Sequence, residues 1–361
     1  MDIRRELVYH AQEHFAHLYQ NATRQFAFRG ESQEEWQAWH KAFYPRLMEA
    51  LGLERMAAQM GGFIPHSESI DSEDMGDWTR ERWQLWVEPT VPLPFILLRP
   101  KTATESALPL VLTPHGHSRN TELYAGNYEN EEEYREMAEG ERDVAVQAVR
   151  EGYLAIAPTA RGFGKTRTED DQKQNVTSSC RTELLHDLLV GRTPIGVRCW
   201  DISRLIDWAF ANLNVDQKRI AITGNSGGGT VSLFAAAVDE RIGIAIPSCY
   251  FCTFAGSIGS IHHCDCNYIP GMLELGEMYD VAGLIAPRPF RAIAGKEDSI
   301  FPIEHVRLAF EKLLKIYRAA VGEERAEQLC QLFVGEGGHR YYKDGAWGYV
   351  RKWFRESKID G

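Results

Sequence analysis

Apolar and polar positions change their period twice along this chain. Up to about residue 60 the period is helical. In Glu34-Glu35-Trp36-Gln37-Ala38-Trp39-His40-Lys41-Ala42-Phe43 the aromatics share one face; Leu47, Met48 and Leu51 continue it, and Gly52 predicts the stop. Residues 67–77 are rich in acid and serine and read as a connector. From Thr79 the period shortens. Arg82-Trp83-Gln84-Leu85-Trp86-Val87 alternates, residues 89–94 read as a turn, and Phe95-Ile96-Leu97-Leu98 is wholly apolar, which together predict a hairpin.

Beyond the hairpin, short apolar runs alternate with helical stretches. Strands are predicted at 108–113, 153–157, 219–223, 242–247, 289–294 and 328–334, and helices at about 141–151, 196–212, 229–238, 303–320 and 344–357. Short strands that are apolar on both faces and separated by helices predict an α/β fold. Its central sheet is mostly parallel, covered on both faces, with the hairpin as an antiparallel edge. The expected organisation is a helical extension and connector over 1–78 and a catalytic domain over 79–361. Two long insertions, about 165–194 and 249–287, are expected to line or cover a site. There is no internal repeat.

Composition narrows the partners. With 361 residues, 44% of them hydrophobic, the chain can bury one large core or a core with an added cap. A net charge of -11 and a pI near 5.6 argue against nucleic acid and against an anionic membrane. The opening Met1-Asp2-Ile3-Arg4-Arg5-Glu6 is charged and lacks the apolar centre of a signal peptide, and no apolar run is long enough to span a bilayer. Seven cysteines, an odd number, show no disulfide framework, so a reduced cytoplasmic protein is expected. Oligomeric state stays open, a homo-oligomer included.

The chemistry concentrates in Gly224-Asn225-Ser226-Gly227-Gly228, which fits G-x-S-x-G between a predicted strand and a small-residue helix. On such a sharp turn a serine hydroxyl is pushed out above the sheet edge. The plainer reading is a glycine-rich turn with a bystander serine. A serine nucleophile needs a base, and the base needs an orienting acid, in the chain order Ser, acid, His for this arrangement of elements. His339 alone follows a late strand on a small turn, Gly337-Gly338-His339, and is the candidate base. His10, His14, His17, His40 and His305 fall on helices and read as surface or packing residues. Gly295-Lys296-Glu297-Asp298 follows an apolar strand, which makes Asp298 the candidate acid and Glu297 its rival. Backbone N–H groups of Gly227 and His117 are the candidate oxyanion hole. The plainer reading has His115 packed under its loop and His117 solvated.

Taken in order, Pro114-His115-Gly116-His117, Arg161-Gly162-Phe163-Gly164, Gly224-Asn225-Ser226-Gly227-Gly228, Ala286-Pro287-Arg288-Pro289, Gly295-Lys296-Glu297-Asp298 and Gly337-Gly338-His339 resemble the α/β-hydrolase superfamily. The chain is most similar to its dienelactone hydrolase-like and acetyl xylan esterase-like bacterial branch. The resemblance covers the chain from about residue 80 to the C-terminus and implies an acyl-enzyme mechanism with no metal or organic cofactor. Dienelactone hydrolases proper commonly carry a cysteine nucleophile; Ser226 moves the expectation toward esterases. The substrate expected is a small-molecule or oligosaccharide ester with a small acyl group, such as an acetylated carbohydrate. A glucuronoyl ester or lactone hydrolase is the alternative, and a non-catalytic binding protein on the same fold is the alternative of another class.

Other residues compete for attention. Cys249-Tyr250-Phe251-Cys252 and His262-His263-Cys264-Asp265-Cys266 could supply four zinc ligands, but the spacing fits no common finger, so packing and pocket lining are expected instead. Tyr250 and Tyr268 are the candidate pocket residues of this strap. Arg161 could bind substrate or brace its loop. Arg198, Asp201, Arg204 and Asp207 read as an exposed ion-pair ladder, with Trp200 and Trp208 in the core.

Overall fold

The sheet begins with the residues read as a connector. In the structure, a computed structural model that describes residues 10–101, 106–117 and 120–359, Ser67–Asp74 is the first strand, β1. It pairs antiparallel with β2 (Trp78–Glu88), with Ser67 opposite Leu85 and Asp74 opposite Thr79. No apolar alternation marked it, because it is an exposed edge. Its cross-strand partners are charges: Arg82 pairs with Asp71 at 2.9 Å and also with Glu73, which Arg80 shares. The opening segment Met1 to Glu6 lies outside the described residues.

The hairpin turn is shorter than predicted. β3 (Val91–Pro100) starts directly after Pro89 and Thr90, and Pro92 and Pro94 lie within the strand. β3 gains a second neighbour only from Phe95 onward, so these prolines remove no ladder donor on that side. Next come β4 (Leu108–Leu112), β5 (Leu154–Pro158), β6 (Val215–Asn225), β7 (Ile244–Ser248), β8 (Phe290–Gly295) and β9 (Cys330–Gly335). Their spatial order is β1-β2-β3-β5-β4-β6-β7-β8-β9. β3 runs antiparallel to β5, and every pairing from β5 to β9 is parallel. This is the predicted α/β architecture. The inner strands are buried on both faces, which is why they read as continuous apolar runs.

The N-terminal helix Gln33–Leu51 is set by its own sequence. Ser32 and Glu35 form a reciprocal capping box, and Gly52 ends the helix in the left-handed region at φ 80°. Phe43, Leu47 and Leu51, four residues apart, are fully buried in the same hydrophobic core as the sheet. The core therefore runs without a break across residue 78. Residues 25–28 also reach the second insertion: the N–H groups of Gln25, Phe26 and Phe28 donate to Glu274 O, Leu275 O and Asp280 Oδ1 at 2.9, 2.7 and 3.0 Å.

Both insertions carry short helices, including Cys180–Leu189 in the first and Met278–Gly283 in the second. The first covers part of the helix Pro194–Asn212, which corrects the predicted surface ladder. Arg198 and Asp201 are buried, and only Arg204 and Asp207, 2.9 Å apart, form a surface pair. Trp200 and Trp208 are core residues as expected. No helix among the described residues is long and apolar enough to cross a membrane.

Candidate active site

Parallel register brings the site together. Asn225 is opposite Ser248, Ser248 opposite Ile293, and Gly295 opposite Gly335, so the loops after β6, β7, β8 and β9 leave one sheet edge side by side. Ser226 sits on the first of these turns at φ 57°, ψ -117°, a conformation costing a non-glycine residue about 1–3 kcal/mol. Two bonds of 2.9 Å hold it there: its own N–H to Ser248 O, and Thr230 N–H to its carbonyl. Small neighbours are required. A Cβ on Gly224 or Gly228 would stand 2.2 or 2.1 Å from Pro114 O, because the chain leaving β4 crosses directly over the turn.

His339 Nδ1 lies 2.8 Å from Asp298 Oδ2. The other oxygen, Oδ1, accepts the N–H groups of Ile300 and Phe301 at 2.9 and 3.2 Å. Burial works to raise the Asp298 pKa, but the bond from His339 and the two backbone donors hold it below the ordinary carboxylate value. Asp298 is 3% exposed, whereas Glu297 points to solvent. An ionised acceptor at Nδ1 keeps the proton on that nitrogen and leaves Nε2 free to accept one. The Phe301 ring stacks on the imidazole at 5.9 Å. Arg142 Nη2 donates to His339 O at 2.8 Å, and Tyr342 Oη donates to Gly338 O at 2.8 Å. Among the described residues Ser226 Oγ makes no hydrogen bond to His339, a contact that often tightens only with substrate bound.

Cys249 is also here, its Sγ within 4.8 Å of the Asp298 and His339 donor atoms. Burial pushes its thiol up to about 12, so it is protonated near neutrality, and it donates to Arg340 O at 3.1 Å.

The loop after β4 forms the other wall. His115 is buried under it, as the plainer reading had it. Its Nε2 accepts Ala160 N–H at 3.0 Å, which places the Nδ1 proton toward Gly116 O at 2.8 Å. Burial pushes the imidazoles of His115 and His117 down to about 4. Gly116 N–H donates to Tyr124 Oη at 3.3 Å. His117 is not solvated. Its ring lies over Gly227, where a Cβ would meet Nδ1 at 2.5 Å, and its Nε2 stands 2.8 Å from Cys266 Sγ. The N–H groups of Gly227 and His117 have no partner among the described residues.

The remaining candidates part company. Arg161 Nε and Nη2 bond to Asp201 at 2.9 and 2.6 Å, and Nη1 to Glu88 at 2.7 Å. Its guanidinium is occupied by two buried carboxylates and braces the loop. Tyr250 is 1% exposed, packed beside Phe301 at 5.5 Å and against Gly229. Tyr268 is 41% exposed and donates to Ile258 O at 3.1 Å. The six strap residues weighed as zinc ligands do not converge. Cys249 stands with Asp298, Cys252 is buried near Met278, and His263 turns to Ser257. Cys264 and Cys266 meet His117 and Cys180 instead. Tyr124, Arg142 and Cys180 are site neighbours that the sequence motifs do not name, and Cys249, weighed there as a zinc ligand, stands instead beside Asp298 and His339. Of the three unnamed neighbours only Cys180, a cysteine in a long insertion, carried a visible signal.

The chain is similar to known hydrolases and esterases. The family model "Glucuronyl esterase, fungi" matches residues 158–257, from the end of β5 through Ser226 into the strap. A protein of Bacillus subtilis (strain 168) provisionally named hydrolase YtaP is 25% identical over 268 residues, 72% of this chain and 83% of its own. A crystal structure from Bacteroides fragilis NCTC 9343, provisionally named an acetyl xylan esterase, superposes with a TM-score of 0.72 at 16% identity, covering 95% of this chain and 86% of that one. A glucuronoyl esterase from Teredinibacter turnerae T7901 gives 0.59 at 16% identity, covering 93% and 87%. The chain has the α/β-hydrolase fold, and it is similar to the acetyl xylan esterase-like branch named from its motifs.

Proposed function

We propose that this chain is a serine carboxylic-ester hydrolase working through an acyl-enzyme, with Ser226 as nucleophile, His339 as base and Asp298 as orienting acid. The observation that carries the reading is the buried Asp298–His339 bond of 2.8 Å at the sheet edge that also bears the strained Ser226 turn. His339 Nε2 takes the Ser226 proton as Oγ attacks the ester carbonyl, then returns it to the leaving alcohol. Asp298 holds the tautomer and offsets the imidazolium charge. The N–H groups of Gly227 and His117 face the developing oxyanion, where one well-aimed donor is worth roughly 10²- to 10³-fold in rate. Water then repeats the attack on the acyl-enzyme.

The substrate class proposed is a small-acyl ester, an acetylated carbohydrate first. All seven cysteines are unpaired, which favours a reducing compartment such as the cytoplasm. The family-model match over residues 158–257 favours a second reading, a glucuronoyl ester hydrolase. Arg161, committed to Glu88 and Asp201, is not free to select a uronate in that case.

One panel tests both: p-nitrophenyl esters of rising acyl length, acetylated xylo-oligosaccharides and alkyl glucuronates. Fastest turnover of acetyl esters supports the main reading, and preference for the glucuronates the second. No turnover of any ester, with no fluorophosphonate labelling of Ser226, would leave the binding-protein alternative.

A further inference from the structure

Four side chains with no part in the proposed ester chemistry meet beside the Ser226 turn. Cys180 comes from the first insertion, Cys264 and Cys266 from the second, and His117 from the loop after β4. Their donor atoms all lie within 4.8 Å of one another. His117 Nε2 is 2.8 Å and Cys264 Sγ 3.5 Å from Cys266 Sγ. In a tetrahedral zinc centre, bond lengths of about 2.3 Å to sulfur and 2.0–2.1 Å to nitrogen put the donors roughly 3.5–4 Å apart. Small side-chain adjustments would therefore close these four around one ion.

The surroundings fit a charged centre. Phe163, Cys180 and Cys266 form a small buried cluster apart from the main core. Arg198, 4% exposed, lies against it, with Nη2 3.5 Å from Cys180 Sγ and 2.9 Å from Arg161 O, and its guanidinium 5.5 Å from the Phe163 ring. Its carboxylate partner, Glu183, is 3.7 Å away, and Arg198 Nε has no hydrogen-bond partner among the described residues. A buried cation so loosely paired is costly unless a further anion stands nearby.

We infer that His117, Cys180, Cys264 and Cys266 bind one zinc ion as a closed structural site. Binding releases three thiol protons and changes no oxidation state. Three thiolates and Zn²⁺ leave one net negative charge, which Arg198 balances. A disulfide would consume two of the three sulfurs and leave the Arg198 guanidinium with only the loose Glu183 pair at 3.7 Å. Four protein ligands leave no open position, so the ion stays outside the ester chemistry. Its effect is mechanical: it ties both insertions to the loop whose His117 N–H is the candidate oxyanion donor. That last consequence rests on the hydrolase reading; the metal content does not.

The test is metal analysis of the full chain, purified under reducing conditions with zinc present and excess metal then removed. The result expected is one zinc per chain by native and inductively coupled plasma mass spectrometry. Cys180→Ser and Cys264→Ser should lose it, while Cys252→Ser keeps it. Should those variants misfold, cobalt(II) added to the metal-stripped native chain should give intense thiolate charge-transfer absorption. A chain that stays metal-free by both methods overturns the site, as does a mass two hydrogens lower that marks a disulfide among these cysteines. If zinc is bound, stripping it should lower kcat more than KM. Zinc bound with kcat unchanged on stripping overturns the link to His117 alone, and zinc absent overturns the site whatever the esterase activity.

Discussion

Two groups of sulfur, nitrogen and oxygen donors flank Ser226, and they differ in how their charge is handled. On one side Cys249, Asp298 and His339 hang from consecutive parallel strands. A carboxylate there is fixed by two backbone N–H groups and one imidazole, and the neighbouring thiol is held protonated. On the other side His117, Cys180 and the Cys264–Cys266 pair come from three segments far apart in the chain, with no carboxylate among them and a buried arginine against them. Proximity of donors is common to both. The identity of the fixed charge separates them: a negative charge beside an imidazole suits proton transfer, whereas a positive charge beside thiols suits an anionic centre.

The contrast breaks most sharply at the proposed nucleophile. Ser226→Ala should cost about 10⁴- to 10⁶-fold in ester turnover while circular dichroism stays native. Activity within about tenfold of the parent would move the chemistry elsewhere. Asp298→Asn should cost about 10³- to 10⁴-fold, because an amide favours the wrong tautomer of His339. Glu297→Gln, at an exposed position, should leave kcat/KM unchanged; equal small effects at the two positions would deprive Asp298 of its role.

Stability sharpens the comparison next. Tyr250, buried against the start of the helix after Ser226, should lose about 3–5 kcal/mol on substitution by alanine in urea titrations. Tyr268→Ala, at the surface, should lose about 0.5 kcal/mol or less. A shift in acyl-length preference in the Tyr268 variant at unchanged stability would make that tyrosine a wall of the pocket.

The depressed Asp298 pKa also has a sign that can be checked. In the window below about pH 5 the folded chain binds fewer protons at this group than the unfolded chain, so its stabilisation is present above the unfolded value near 3.9 and is lost as pH falls through the folded one. The stability gap between the parent and Asp298→Asn should therefore shrink on acidification. A gap independent of pH would show that the carboxylate charge contributes nothing. The smallest effect is expected at Cys249, where serine should keep kcat/KM within about tenfold, since a protonated thiol has no part in the reaction. A loss beyond about a hundredfold would join this cysteine to the catalytic group.

Much of the first group was legible before any coordinates. Asp298, like Ser226 beside the group, follows a buried apolar strand, and His339 follows the half-buried edge strand β9; strand-end position is written in local pattern. What separates Asp298 from Glu297 is the pair of N–H groups of the apolar Ile300-Phe301 that follows, which anchor its Oδ1. The second group was legible only as suspicion. Cys264 and Cys266 group in sequence with Cys249, Cys252, His262 and His263, which lie nearby in the chain, while His117 stands out only through its backbone N–H. Cys180 is more than eighty residues from Cys264, and no local periodicity reports a contact of that span. The polar strand β1 was missed for a related reason. Its pattern is set by facing arginines on β2 and not by a core, so it carried no apolar alternation.

The backbone bonds from residues 25–28 to residues 274–280 bear on how the protein is made. Synthesis releases the N-terminal segment first, at roughly 5–20 residues per second, so on the order of ten seconds or more passes before its partners leave the ribosome. Until then Gln25, Phe26 and Phe28 cannot form these bonds, and Phe43, Leu47 and Leu51 lack much of the surface that buries them. Residues 25–51 are therefore secured late, and the nascent protein must carry an apolar helix in waiting until residues 274–280 emerge.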